Sequence, residues 1–106
     1  MEKIFVYGTL QDSHVQQSLI GREILGQADV LQGYIINFLL LPPYPVAVPD
    51  DDSQIEGQIL EVSSEELEKL DRYEGEGYLR INVWLVSGQE AWVYVANPAY
   101  YPDEIL

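Results

Sequence analysis

Cysteine is absent from the sequence, and histidine occurs once, as His14. Disulfide bonds, thiolate metal sites and cysteine nucleophiles are therefore excluded, and one histidine cannot by itself hold a transition metal. Basic residues are also scarce, since five Lys and Arg residues together stand against 18 acidic residues and leave a formal net charge of −13. A field of that sign repels a phosphate backbone, so nucleic acid is not an expected partner.

Long hydrophobic runs are missing as well. The longest nearly apolar run, residues 35–41, is interrupted by Asn37 and is far shorter than the ~20 residues that span a membrane. The first residues, Met1-Glu2-Lys3, do not have the basic region and apolar segment of a secretory signal. We therefore expect a cytoplasmic protein without membrane contact. The 106 residues, 47% of them apolar, predict one compact domain over residues 1–106.

Short β-rich segments dominate the predicted secondary structure. Strands are expected at residues 3–7, 25–31, 34–40, 55–62, 78–86 and 91–96, the last two as a hairpin. A short helix is expected at residues 14–20 with Ser13 as its cap. The prolines at 42, 43, 45 and 49 leave room between them only for a short edge strand at residues 46–48. Without regular strand-helix alternation, this order predicts an α+β domain on a mixed or antiparallel sheet, with a barrel as one form of it.

A second helix is expected at residues 64–74. Ser63 and Glu66 have the spacing of a capping box, and Gly75 marks the end. At about 100° per residue, Leu67, Leu70 and Glu74 share one stripe of this helix. A carboxyl group turned toward a core loses hydration, which raises its pKa toward the range of a general base at neutral pH. Two other interpretations stay open: the helix frays before Glu74, or Glu74 forms a structural ion pair with Arg80.

Two further features are candidates for a binding site. The first predicted strand ends in Tyr7, Gly8, Thr9 and Leu10, where backbone N–H groups of a small-residue turn can form a nest for an anion or oxyanion. A plain tight turn is the alternative. Six of the eight tyrosines are candidates to line a cavity with their polar tips, the alternative being ordinary sheet packing. These six are Tyr7, Tyr34, Tyr44, Tyr73, Tyr78 and Tyr94.

Several segments, in this order along the chain, resemble the motifs of one family. Residues 4–10 (IFVYGTL) are similar to an opening strand with a YGTL loop, and residues 44–47 (YPVA) to a YP strand. Residues 55–59 and 70–75 resemble a V-x-G-x-L strand and an LDxxEG helix end, and residues 78–80 and 92–95 resemble a Y-x-R strand and a closing vYv strand. The combination resembles the gamma-glutamylcyclotransferase-like family, in its small branch with gamma-glutamylamine cyclotransferase and the avirulence-induced-gene-like proteins.

This resemblance implies a small mixed β-barrel flanked by short helices and a reaction without metal or cofactor. The family glutamate, which matches Glu74, would be the general base that takes a proton from the α-amino group of a small gamma-glutamyl compound. The freed amine would attack the side-chain carbonyl and release 5-oxoproline together with an amine or amino acid. Substrate binding would fall to Tyr7, Gly8, Thr9 and Leu10, with Tyr78 and Arg80 as further contacts. The leaving amine and the oligomeric state do not follow from the sequence.

Two functions of other kinds remain as alternatives. The same cavity could serve a non-catalytic module that binds a small carboxylate or amide. Alternatively, the aromatic hairpin with Trp84 and Trp92 could be the contact surface of an oligomeric interaction domain.

Overall fold

The computed structural model describes residues 1–101. Within them the chain forms β1 (Glu2–Val6), a 3₁₀ turn (Thr9–Gln11), α1 (Ser13–Ile20), β2 (Gln27–Leu41), β3 (Tyr44–Val62), α2 (Ser64–Glu74), β4 (Tyr78–Trp84) and β5 (Glu90–Ala96). The strands form one mixed sheet in the order β2-β3-β1-β5-β4. This sheet curls into a half-barrel with two α-helices, which confirms the predicted fold class. No helix among the described residues is long and apolar enough to span a bilayer.

The short strand β1 lies at the centre of the sheet and stops early. It runs antiparallel to β3 over Glu2↔Val62 to Val6↔Gln58 and parallel to β5 at Phe5↔Val93. Beyond its end, β3 and β5 pair directly with one another at Ala47↔Val95. The chain therefore leaves the sheet after Val6 at the place where the two neighbouring strands converge.

The contact between β1 and β3 requires a glycine. A Cβ atom built on Gly57 would lie 2.3 Å from the backbone oxygen of Val6 and 2.7 Å from the Phe5 ring. Both distances are far below van der Waals contact, and the closer atom belongs to the backbone. Gly57 thus sets how closely β3 approaches the end of β1.

Side-chain alternation along β1 divides the core into two main clusters. Phe5 packs inside the curled sheet with Leu31, Ile59 and Val93. Its neighbours Ile4 and Val6 point to the other face, where the helices cover the sheet; that cluster comprises Ile4, Val6, Leu10, Leu60, Val62, Leu67, Leu70 and Tyr94. Period-two alternation places consecutive residues of a strand on opposite faces, so β1 contributes to both cores.

Helix α2 is confirmed as predicted. The Ser63 side chain accepts a hydrogen bond from the Glu66 N–H at 3.1 Å, and the Glu66 carboxylate accepts one from the Ser63 N–H at 2.8 Å, which completes the capping box. Leu67 and Leu70 are buried against the sheet. The helix ends at Glu74, because Gly75 adopts φ +74°, a backbone conformation that glycine reaches without steric cost.

Helix α1 occupies the expected segment, but the predicted cap was wrong. Ser13 is the first helical residue, and Asp12 is the N-cap, with its Oδ1 accepting from the His14 N–H at 2.7 Å. Asp12 and Ser13 are both good capping residues, so the sequence alone did not decide between them.

The predicted division of residues 25–62 into short strands was wrong. Strands β2 and β3 are continuous over 15 and 19 residues, and the segment 46–48 belongs to β3 rather than to a separate edge strand. Pro49 stands beside a register shift, since Gln32 pairs with Gln54 but Tyr34 pairs with Pro49. An irregular ladder tolerates a residue without an N–H group, so the proline did not end the strand.

The predicted hairpin is confirmed, with β4 and β5 paired from Tyr78↔Ala96 to Trp84↔Glu90. Its two tryptophans differ in environment. Trp84 is 69% exposed, whereas Trp92 is half-buried and its indole N–H donates to Glu2 at 2.9 Å.

Candidate active site

A cavity of about 210 Å³ opens where β1 ends. The end of β1 and the loop after it form one wall, the end of β2 and the start of β3 form a second, and the end of α2 with β4 and β5 forms the remainder. Its lining consists of residues 5–10 and of Leu41, Tyr44, Pro45, Tyr73, Glu74, Tyr78 and Tyr94. The structure therefore brings together Glu74, Tyr78 and all four residues of the YGTL loop. Of the six candidate tyrosines, Tyr34 does not line this cavity and lies beside a second, apolar groove.

Tyr7 joins the two strands that converge beyond β1. Its hydroxyl donates to the backbone oxygen of Tyr94 on β5 at 2.6 Å and accepts from the N–H of Ala47 on β3 at 3.0 Å. Burial raises the pKa of this phenol well above its ordinary value of 10, so it stays neutral. The Tyr7 hydroxyl thus holds the first residue of the loop in place at the bottom of the cavity.

Replacing Tyr7 with phenylalanine is expected to lower the free energy of unfolding by about 1–3 kcal/mol, because two backbone groups lose their partner in a partly buried place. Tyr34→Phe is the matched control, since the Tyr34 hydroxyl makes no hydrogen bond among the described residues. Denaturant unfolding of both variants measures the difference. Equal losses in the two variants would contradict a specific bridging contribution of Tyr7.

The rest of the loop is held by short-range and cross-wall contacts. The N–H of Gln11 donates to Gly8 O at 3.1 Å within the 3₁₀ turn, and the hydroxyls of Thr9 and Tyr73 share a hydrogen bond of 2.9 Å. A Cβ atom on Gly8 would lie 2.9 Å from Pro45 Cγ. A side chain at this position would therefore push against the opposite wall of the cavity.

Glu74 is the last residue of α2 and projects into the cavity from the stripe that carries Leu67 and Leu70. The side chain is half-buried, and within residues 1–101 its carboxyl group makes no hydrogen bond or ion pair. Burial raises its pKa from the ordinary 4.5 to about 7. A carboxyl group with this pKa can take up and return a proton at neutral pH, as a general base and acid must.

The groups around Glu74 are aromatic. Tyr78 donates its hydroxyl to Pro45 O at 2.7 Å and meets the ring of Tyr94 edge to face at 6.5 Å. Burial is the main cause that raises the pKa of both phenols. The negative charge of Glu74 adds to it at Tyr78, and the hydrogen bond to Asp71 adds to it at Tyr94. These tyrosines therefore remain uncharged beside the carboxyl group. Within residues 1–101 the cavity lining contains no Lys, Arg or His.

Arg80 lies outside the cavity lining. Its Nε donates to Asp71 Oδ1 at 2.8 Å and its Nη2 to Asp71 Oδ2 at 3.2 Å, and its guanidinium stacks on the Trp92 ring at 4.3 Å. The alternative interpretation of Glu74 as the ion-pair partner of Arg80 is therefore wrong. The structure does not bring Arg80 to the cavity, where it was expected to contact substrate.

Asp71 is the site neighbour that the sequence analysis did not single out. It belongs to the LDxxEG segment, but nothing in the sequence indicates which of its two acidic residues, Asp71 or Glu74, would face the arginine on β4. Within the described residues, no cluster of three or more His, Cys, Asp or Glu residues could hold a metal ion.

Comparison with known proteins agrees with these motifs. A family model described as gamma-glutamyl cyclotransferase, AIG2-like, matches residues 4–105. AIG2-like protein A of Arabidopsis thaliana is 34% identical over 113 residues, which cover 97% of this chain and 68% of that protein.

Solved structures show the same relationship. The solution structure of an Arabidopsis thaliana protein superimposes with a TM-score of 0.80 at 30% identity, covering 90% of this chain and 68% of the other. A gamma-glutamyl cyclotransferase of only 14% identity shares the fold with a TM-score of 0.73, over 91% of this chain and 66% of its own. The chain thus belongs to the gamma-glutamyl cyclotransferase, AIG2-like family.

Proposed function

We propose that this protein is a gamma-glutamyl cyclotransferase that releases 5-oxoproline from a small gamma-glutamyl amine or amino acid, with Glu74 as general base. The observation that carries the proposal is the Glu74 carboxyl group, which lies unpaired among the described residues in an aromatic cavity and has a pKa of about 7. Membership of the family supports cyclotransferase chemistry in general. The position of the YGTL loop beside Glu74 supports this site.

The reaction requires little from the protein, because the nucleophile is part of the substrate. Glu74 accepts a proton from the α-ammonium group, and the freed amine attacks the side-chain carbonyl carbon. The new C–N bond closes the ring, the bond to the leaving nitrogen breaks, and the two protons lost by the α-nitrogen end on the leaving amine, one of them through Glu74. The other contributions of the protein to catalysis are to hold the substrate in a folded conformation and to stabilise the oxyanion.

Residues 8–10 are suited to stabilising the oxyanion. They line the same cavity as Glu74, and N–H groups of a tight turn there can bind the glutamyl carboxylate or the oxyanion. Tyr78, held by Pro45, is a further wall of the glutamyl pocket.

A turnover screen tests the proposal. Purified protein is incubated with gamma-glutamyl amines, gamma-glutamyl amino acids and glutathione, and release of 5-oxoproline is measured. We expect turnover of at least one compound. Thermal stabilisation by 5-oxoproline without turnover of any compound would contradict catalysis and favour the non-catalytic binding module; a protein that neither binds nor turns over these compounds would overturn the site assignment altogether.

The charge of the protein predicts a preference among substrates. A net charge of −13 raises the local concentration of cations and lowers that of anions, and no basic side chain of the described lining offsets it. We expect kcat/KM for a gamma-glutamyl diamine to exceed that for glutathione by roughly tenfold at low salt, and the ratio to shrink as salt screens the field over about 8 Å at physiological ionic strength. The neutral conjugate of a simple alkylamine is the control. A preference for glutathione, or a ratio unaffected by salt, would refute this expectation.

A further inference from the structure

A charged pair lies directly behind the cavity wall that carries Glu74. The Asp71 carboxylate accepts three hydrogen bonds: two from Arg80, at 2.8 and 3.2 Å, and one from the Tyr94 hydroxyl at 2.7 Å. One face of the guanidinium lies over the ring of Trp92. Bidentate, charge-assisted bonds of this kind are the strong ones, and they fix geometry as well as charge. The end of α2 is therefore fastened to β4 and β5 through Asp71.

The pair stands close to the proposed base. Asp71 precedes Glu74 by three residues on α2, a spacing that brings the Cβ atoms of a helix to about 5–6 Å from each other. Tyr94, which binds Asp71 through its hydroxyl, lines the same cavity as Glu74. The backbone oxygen of Tyr94 in turn accepts from Tyr7, so Tyr94 connects Asp71 to the first residue of the loop.

We propose that Arg80 is a positioning residue that cancels the negative charge of Asp71 and thereby allows Glu74 to release its proton at neutral pH. The catalytic meaning of this inference rests on the proposed function of Glu74. Without Arg80, a bare carboxylate would stand one helical turn from a second carboxyl group in a partly buried site. Two like charges at that distance oppose each other's ionisation.

The remaining groups that face Glu74 do not offset this effect. From the loop after β1 and from β3, α2, β4 and β5 they are the phenols of Tyr7, Tyr44, Tyr73, Tyr78 and Tyr94. None of these side chains is a Lys, Arg or His, and the ion pair that lies next to this lining, through the Tyr94 hydroxyl, is that of Asp71 and Arg80. Burial raises the pKa of Glu74.

Titration of the Glu74 side-chain carboxyl by NMR, in the free protein, tests the inference. The Glu74 signal is assigned by its loss in Glu74→Gln. We expect Arg80→Met to raise the midpoint by about 0.5–1 pH unit, because the Asp71 charge is then unmatched. Asp71→Asn should lower the midpoint, since it leaves the cation of Arg80 unmatched. The double variant Arg80→Met/Asp71→Asn should return it close to the wild-type value.

The test is decisive because Arg80→Met and Asp71→Asn should shift the Glu74 midpoint in opposite directions. If Arg80→Met does not fold, the downward shift in Asp71→Asn, compared with the midpoint of Arg80→Lys, still decides the question. Arg80→Lys keeps the charge without the bidentate contact and should leave the midpoint near that of the wild type. Unchanged midpoints in both single variants, or a double variant that does not return to the wild-type value, would overturn the inference.

The titration also separates this inference from the proposed function. It uses no substrate, so the expected shifts in a protein that turns over nothing would contradict the proposed function alone. If the protein turns over substrate but its Glu74 titration midpoint is the same with and without Arg80, the inference alone would be contradicted. In an active enzyme the acid limb of kcat/KM should move with the NMR midpoint. A rise in KM without movement of that limb would instead indicate that Arg80 contacts substrate.

Discussion

Glu74→Gln is expected to lower kcat/KM for a gamma-glutamyl compound by about 10²- to 10⁴-fold, the usual contribution of a general base. The substitution keeps the shape of the side chain and removes only its ability to accept a proton. Because the carboxyl group makes no hydrogen bond or ion pair among the described residues, the change leaves no buried partner unpaired. The loss should therefore appear in the chemical step and not in the fold.

Initial rates of 5-oxoproline release measure turnover, and thermal stabilisation by 5-oxoproline measures product binding. Product binding should persist in Glu74→Gln while turnover is lost. Glu76→Gln is the matched control, since Glu76 is exposed two residues further on and lies outside the cavity lining. Equal rates in the wild type and in Glu74→Gln would remove Glu74 from the mechanism.

The pH profile gives a second view of the same residue. The base must be ionised to act, and burial raises the pKa of Glu74 to about 7. The acid limb of kcat/KM should therefore have its midpoint near pH 7, well above the ordinary glutamate value of 4.5. A limb near the free value would indicate that the catalytic carboxyl group is solvated and is a different residue.

Local signals were sufficient to predict α2 and the orientation of its last residue. The capping box of Ser63 and Glu66 fixes where the helix begins, and the spacing of Leu67 and Leu70 fixes the face that is buried. Because Glu74 follows Leu70 by four residues and Leu67 by seven, helical geometry places it on the same face. Each step depends only on neighbouring residues, which explains why the orientation of Glu74 could be predicted from the sequence.

Strands β2 and β3 show where local reasoning fails. Gly33 and Pro49 are strand-breaking residues in isolation, yet both lie within continuous strands at a register shift. Whether such a residue ends a strand or sits in an irregularity depends on the partner strand, which the local pattern does not contain. Arg80 is a similar case, since its choice between Asp71 and Glu74 is made by the placement of β4 against α2.

The second large effect is expected on stability: relative to Glu74→Gln, the wild-type protein should lose free energy of unfolding as pH rises. Burial raises the pKa of Glu74 from 4.5 to about 7, so in this interval the folded protein holds a proton that the unfolded chain has released. The stabilising contribution is fully present below pH 4.5 and is lost as pH rises through 7. The difference between the two pKa values corresponds to about 3 kcal/mol.

Urea unfolding of both proteins at about pH 4.5, 6 and 8 measures this loss. Glu66 on the same helix provides a control of opposite sign, because its hydrogen bonds to Arg22, at 2.7 and 2.8 Å, lower the pKa of Glu66 to about 2. That contribution is present above pH 4.5 and is lost as pH falls toward 2. At neutral pH, Glu66→Gln should therefore destabilise the protein, whereas Glu74→Gln should be at least as stable as the wild type. Parallel pH profiles for the wild type and Glu74→Gln would mean that Glu74 ionises freely in the folded state, which would contradict its proposed action as a base near pH 7.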